Sequence, residues 1–414
     1  MNKDIINDLK KYGIHPGLET IKNLLGSLDI PLDGKKIIHI AGTDAKGSVG
    51  EYISKILEGS GKKTGHFLSP AVFEYEEMFR INGKNISEKR LEDIYSYIEK
   101  IRKEKGSLLP HPTLFEMETA AALLYFHEED CDYMVIECGM GGKWDATNVF
   151  ENTKMCVFTP IGRDHEKFLG DSLEKIASNK AGIIKEGAIC ISAHQEDPVR
   201  KILLEKNNET KFIDPLEISK GVSYENGYQI FSYRDFPGLR TKMLGAFQRE
   251  NAALAIEAAR SLIGDKKDFG GIVYKAVEKA ALAGRFDIRR TYNDIPLVLD
   301  GAHNPPAVRR LLGSLEEYFP HEEYIFILGV FMDKNIKEIA RLISKKARRI
   351  ITITPPSERG FKGEDLRDIC LGFMGNAEYA GSVDSAIDKA LEGAGDNSCI
   401  ICTGSFSYLK DVRQ

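Results

Sequence analysis

The feature that most constrains this chain is a recurring unit. A short, almost uninterrupted apolar run is followed by a small-residue turn and then by an amphipathic segment of helical length. Lys35-Lys36-Ile37-Ile38-His39-Ile40 leads through a glycine-bearing loop into a helix expected over residues 47–58. Residues 64–68, 133–138, 155–159 and 189–193 repeat the strand half of the unit. Runs apolar on both faces belong to strands covered on both sides, and strand–helix–strand order lays such strands parallel. An α/β fold with a parallel sheet is therefore expected.

The pattern changes over about residues 207–244, where Tyr228-Gln229-Ile230-Phe231-Ser232-Tyr233 alternates as an antiparallel hairpin would. A small antiparallel β subdomain is expected there. A helix of high propensity follows, carrying Ala252, Ala253, Ala255, Ile256 and Ala259. A second, Rossmann-like α/β unit opens at Pro296-Leu297-Val298-Leu299-Asp300, with later strands expected at 324–328, 349–354 and 399–403. At 414 residues the chain exceeds one ordinary core. The expected division falls at Gly284-Arg285-Phe286, giving domains 1–285 and 286–414.

Charge and composition exclude several classes. With 57 basic and 62 acidic residues interspersed and a net charge of −5, the chain lacks the basic field of a nucleic-acid binder. No run approaches the ~18 apolar residues that span a bilayer. Met1-Asn2-Lys3-Asp4-Ile5 is polar and unlike a signal peptide. A cytoplasmic monomer acting on small molecules is expected. Of the seven cysteines, Cys131, Cys138, Cys156, Cys190, Cys399 and Cys402 lie in or beside apolar runs, so buried reduced thiols are expected. Cys399-Ile400-Ile401-Cys402 has no second pair with which to hold zinc.

The chemistry gathers at strand ends. His39-Ile40-Ala41-Gly42-Thr43-Asp44-Ala45-Lys46-Gly47-Ser48 is a strand, a small-residue turn and a helix start. Backbone N–H groups in such a turn make an anion site. Lys46 would neutralise the β- and γ-phosphates of a nucleotide, and the Ser48 hydroxyl would ligate Mg²⁺. The spacing is not that of a strict P-loop, and tight packing alone is an equal explanation. Glu137 ends the strand expected at 133–138, before Gly139-Met140-Gly141-Gly142, and Asp164-His165 follows the strand expected at 155–159. Ligands of open parallel sheets collect beyond such carboxyl ends. Mg²⁺ favours oxygen donors, which suits Glu137 and Ser48. His165 also reads as a loop histidine bonded to backbone, and Lys180 as a solvated lysine at a helix end. Asp300-Gly301-Ala302-His303-Asn304-Pro305-Pro306 places Asp300 and His303 facing outward, towards a ribose or phosphate. Ordinary turn chemistry explains the same residues.

Together these segments resemble the folylpolyglutamate synthase/dihydrofolate synthase family of the Mur ligase superfamily. The resemblance runs from Gly42 to Thr403-Gly404-Ser405. It includes Phe115-Glu116, the stretch from Glu137 to Asn148, Ile161 to His165, Lys180-Ala181-Gly182-Ile183, Gln248-Arg249-Glu250-Asn251 and Gly284-Arg285-Phe286. It implies an ATP-dependent amide ligase that adds L-glutamate to a folate or dihydropteroate carboxylate through an acyl phosphate, with ADP and phosphate as products. Gly42, Thr43, Lys46, Gly47 and Ser48 would then hold ATP. Ser48, Glu137 and His165 match Mg²⁺ ligands, and Lys180 matches a lysine that is carbamylated to hold a second Mg²⁺. Asn251, Arg285, Asp300 and His303 match nucleotide contacts. Phe115 and Asp145 match positions near a pterin-type substrate, and Ser405 one near the amino acid. Lys46, Lys180, Asp300 and His303 are the expected catalytic set.

The chain departs from the family at Asp44 and Ala45, where Asn-Gly is usual, and at Ala71, Met78, Lys143 and Trp144. A positive φ at Ala45 would cost roughly 1–2 kcal/mol. Asp44 would repel phosphate unless it turned away or met a cation. Two alternatives follow from these departures: a ligase for another carboxylate, or a non-catalytic nucleotide-binding relative.

Overall fold

The computed structural model describes residues 17–31, 36–105, 111–219, 222–264, 268–291 and 293–412, together with Leu9, Lys11 and Gly13. The polar N-terminal stretch from Met1 to Ile5 lies outside the described residues. The fold is α/β, with two parallel-dominated sheets and a small antiparallel one.

The first sheet runs in the spatial order Lys84–Asn85, Phe79–Ile81, Thr64–Phe67, Tyr133–Glu137, Lys36–Ala41, Met155–Phe158, Ile189–Ser192 and Lys211–Phe212. From Thr64–Phe67 onward every neighbour is parallel. The antiparallel hairpin 79–85 closes the other edge. Lys36–Ala41 enters the sheet centrally, and the chain first continues to one side of it and later to the other. The carboxyl ends of Lys36–Ala41, Tyr133–Glu137 and Met155–Phe158 thus border a topological switch point, where a crevice opens.

One expectation for this half needs correction. The stretch 207–244 is not antiparallel throughout, because Lys211–Phe212 adds a parallel edge strand to the main sheet. The antiparallel sheet is confined to Ser223–Glu225, Tyr228–Tyr233 and Phe236–Thr241. It has no core of its own: Phe231, Tyr233, Phe236 and Leu239 pack in one cluster with Ile38, Tyr52 and Ala255. The alternation of Tyr228–Tyr233 shows which face is apolar, but not that the face lies on the helices Lys46–Gly59 and Phe247–Ile263.

The second sheet runs Asp287–Arg290, Pro296–Leu299, Ser398–Thr403, Glu323–Leu328, Ala347–Thr352 and Ala377–Tyr379. All are parallel except the first, an antiparallel edge. The strands Asp287–Arg290 and Ala377–Tyr379 were not expected, since both are short, partly exposed and lack an apolar run. Ser398–Thr403 is buried along its whole length and lies between Pro296–Leu299 and Glu323–Leu328. All seven cysteines are buried, with no disulfide among the described residues. No helix among the described residues is long and apolar enough to cross a membrane.

Candidate functional site

The loop after Lys36–Ala41 is held in shape by the neighbouring strand end. Thr43 N donates to Pro160 O at 2.9 Å, and the Thr43 hydroxyl bonds both Gly162 O and Gly162 N at 2.9 Å. The Thr159 hydroxyl donates to Asp44 O at 2.5 Å. Gly42 is required by close approach, because a Cβ there would lie 1.8 Å from Thr159 Oγ1. Ala45 has φ of 68°, in the left-handed region, and stands at the N-cap of the helix Lys46–Gly59. Ala45→Gly is expected to relieve that strain, offset in part by glycine's larger entropy loss, for a net gain of about 0.5–1 kcal/mol. A urea midpoint no higher than that of the parent chain would refute it.

Around this loop lies a narrow cleft of about 170 Å³. Gly42, Thr43, Lys46, Gly47, Ser48, Glu137, His165, Lys180, Arg285, Asp300 and His303 all line it, so the structure brings most of the expected site residues together. Lys46 Nζ lies 3.3 Å from Gly42 O and 3.7 Å from Glu137 Oε1. Burial raises the Glu137 pKa, opposed by the charges of Lys46 and Arg285. Its Oε2 is buried and has no hydrogen-bond partner. A carboxylate oxygen left bare in such a cleft fits a hard cation, and Ser48 supplies a hydroxyl in the same cleft. His165 is left-handed, with φ of 51°. Burial and the charge of Lys334 lower its pKa to about 4, so its ring is neutral and able to donate a lone pair. No cluster of three His, Cys, Asp or Glu residues stands ready as a metal site among the described residues, so a metal here would rely on hydroxyl and phosphate oxygens as well.

Lys180 is not a solvated lysine. It is buried, and its Nζ donates to Gly42 O at 2.7 Å. Burial, then the charge of Lys46, lower its pKa to about 8, which leaves an appreciable neutral fraction at physiological pH. Asn251 does not line the cleft. Its amide donates to Gln248 Oε1 at 3.0 Å, and Gln248 Nε2 in turn donates to Ser48 Oγ at 3.3 Å.

The second sheet closes the cleft. Asp300 does not face outward as expected. It is buried, with Oδ2 accepting from Phe286 N and Oδ1 from Ala302 N, both at 2.8 Å. Burial raises its pKa to about 6. His303 Nδ1 bonds Gly301 O at 2.8 Å, and its Nε2 lies 3.6 Å from Asp164 Oδ2. Burial works against the Asp164 carboxylate, but the neighbouring His303 and the charge of Lys334 hold its pKa well below the usual range. Lys334 Nζ donates to Asp164 Oδ1 at 2.8 Å from the far sheet.

Phe406 carried no signal in the sequence, yet it is central. The Arg285 guanidinium lies 3.8 Å from its ring centroid, and the His303 ring meets it edge-on at 6.2 Å. A Cβ on Gly301 would come within 1.9 Å of the same ring, so that glycine serves close packing and is not simply a turn residue. Gln248, Asn304 and Lys334 were likewise missed. Gln248 and Asn304 lie within recognisable segments, but each of the three acts on a partner distant in sequence.

Beyond Phe406 a second, wider cavity of about 610 Å³ opens. Phe115, Asp145 and Ser405 line it, with Tyr75, Met78 and the half-exposed Trp144. Phe115 stacks on Phe67 at 5.9 Å. Asp145 braces the glycine loop, accepting from Met140 N at 2.6 Å and from the Thr147 hydroxyl at 2.5 Å. With that hydroxyl hydrogen engaged, His39 Nε2–H donates to Thr147 Oγ1 at 2.8 Å. Burial lowers the His39 pKa to about 3, so its ring is neutral at physiological pH. The Ser405 hydroxyl caps the following 3₁₀ turn by accepting from Ser407 N at 3.2 Å.

Residues 40–259 match the Mur ligase middle domain family, and residues 284–406 match the Mur ligase glutamate ligase domain. The chain is 30% identical to the dihydrofolate synthase/folylpolyglutamate synthase of Bacillus subtilis, over 98% of this chain and 96% of that protein. It is 28% identical to the folylpolyglutamate synthase of Lacticaseibacillus casei, over 98% and 95%. Its structure is similar to that of Mycobacterium tuberculosis folylpolyglutamate synthase complexed with ADP. The TM-score is 0.89 at 26% identity, covering 99% of this chain and 96% of the other.

Proposed function

The chain belongs to the folylpolyglutamate synthase/dihydrofolate synthase family of Mur ligases, and from that premise we infer that it joins L-glutamate to a folate or dihydropteroate carboxylate at the expense of ATP. One observation supports this reading above the others. The narrow phosphate cleft and the wide aromatic cavity adjoin, sharing Ser69, Pro70, Gly139, Met140, His303 and Phe406 as walls. A flat heteroaromatic acid in the wide cavity could therefore present its carboxylate to a nucleotide γ-phosphate in the cleft.

In the proposed reaction a substrate carboxylate oxygen attacks the γ-phosphorus, the bond to the β-phosphate oxygen breaks, and ADP departs. The glutamate amine then attacks the acyl carbon, loses a proton, and phosphate leaves with its oxygen. Lys46 and Arg285 place positive charge beside the transferring group. Asp300 and His303 would hold the nucleotide from the second sheet. Asn251 supports Ser48 through Gln248 and so would act on the phosphates at one remove. Phe406 and Leu169, which line both cavities, restrict water at the junction where an acyl phosphate would form. Phe115 and Asp145 would position the pterin-type group, and Ser405 the incoming amino acid. Ser48, Glu137 and His165 would hold Mg²⁺, which when bound supplies neutralising charge at the β- and γ-phosphates. The depressed pKa of Lys180 suits carbamylation, in which the neutral amine bonds CO₂ and loses a proton, giving an anion able to hold a second Mg²⁺.

The test is ADP release with glutamate and either dihydropteroate or tetrahydrofolate, in the presence of Mg²⁺. Turnover with at least one acceptor is expected. ATP binding with turnover on neither would defeat the folate assignment and favour another carboxylate, fitted to the pocket formed by Ala71, Met78 and Trp144.

A further inference from the structure

An aspartate in a phosphate loop is an electrostatic fault, since its charge opposes the anion that the loop is built to hold. Here the fault is corrected from the other sheet. Asp44 Oδ1 accepts a hydrogen bond from Asn304 Nδ2 at 2.9 Å. Its Oδ2 is buried without a hydrogen-bond donor and faces Arg310 Nη1 at 3.5 Å. Asn304 and Arg310 belong to one element: Asn304 caps the helix Pro305–Tyr318, and Arg310 lies a turn and a half along it. The Asn304 amide also reaches Asp164 Oδ2 at 3.1 Å, so this helix grips both phosphate-side loops of the first sheet. Asp44 and Arg310 both line the phosphate cleft.

We propose that Arg310 is a positioning residue for the nucleotide: by neutralising Asp44 across the two sheets it lets the phosphate loop accept a polyanion, so that affinity depends on the second unit being seated on the loop. With Arg310 withdrawn, the loop presents a bare carboxylate to the phosphates. The inference rests on the loop being the nucleotide site.

Calorimetric titration of Mg·ATP into the full chain tests it through a double-variant cycle. Arg310→Ala is expected to weaken binding roughly tenfold, and Asp44→Asn to strengthen it about threefold. In the Asp44→Asn background, Arg310→Ala should change affinity by less than about twofold, because no charge remains to be neutralised. Arg310→Lys, which keeps the positive charge, should stay within about threefold of the parent chain. An equal loss from Arg310→Ala in both backgrounds would overturn the proposal, whether it arose from direct contact with the nucleotide or from damage to the helix. An unchanged affinity for Arg310→Ala alone would overturn it as well. A parent chain that bound no Mg·ATP would sink the nucleotide assignment itself, and the role of Arg310 with it.

Discussion

Lys46→Ala is expected to lower turnover by roughly 10³-fold, the scale seen when one preorganised donor is removed from a developing charge. Lys46 is the first residue of the helix Lys46–Gly59, and its ammonium is held between Gly42 O and the Glu137 carboxylate. Its charge therefore sits in the cleft before any ligand arrives and needs little reorganisation during phosphoryl transfer. Alanine is a good helix former, so the thermal midpoint should move little and the loss can be assigned to chemistry. Lys46→Arg should recover only part of the rate, because a planar fork cannot occupy the place of a compact ammonium. Wild-type-like kcat/KM in the alanine variant would remove this loop from the mechanism.

Glu137→Gln separates activity from stability. The substitution keeps shape and removes the charge of a carboxyl whose pKa burial has already raised. Such a group contributes less to folding as pH rises above its ordinary pKa, because its ionised form is the one that burial disfavours. At neutral pH the amide should leave stability level or higher. Turnover at low Mg²⁺ should fall roughly 10²-fold, with partial recovery as Mg²⁺ is raised, if the bare Oε2 is a metal ligand. Superimposable Mg²⁺ dependences for variant and parent would sink that role. A large loss of stability would instead show that the Lys46 ion pair supports the fold.

Local pattern was legible where one stretch of chain carries its own physical reason. The apolar runs gave the inner strands of both sheets nearly to the residue. Short edge strands such as Lys211–Phe212 and Ala377–Tyr379 were not legible. Two or three residues cannot show a period, and these pair only because a neighbouring strand offers an open edge. Asp145 was singled out by the family resemblance, but its brace through Thr147 to His39 was not legible, because the three meet only once the strands are aligned.

The sequence by itself determined that parallel strands would end in a small-residue turn, an acid and two histidine-bearing turns, since hydrophobic periodicity and turn chemistry act over a few residues. Only the tertiary structure decided how those ends combine. Phe406 became the wall between the two cavities, Lys180 a buried amine rather than a solvated one, and Asp300 a buried anchor rather than an outward-facing group. The clearest case is Asp44, whose carboxylate accepts a hydrogen bond from Asn304, 260 residues away, and faces the Arg310 cation on the same helix. Burial and ion pairing depend on what lies across a cleft, and that neighbour is set by how two sheets pack, which no local stretch of sequence encodes.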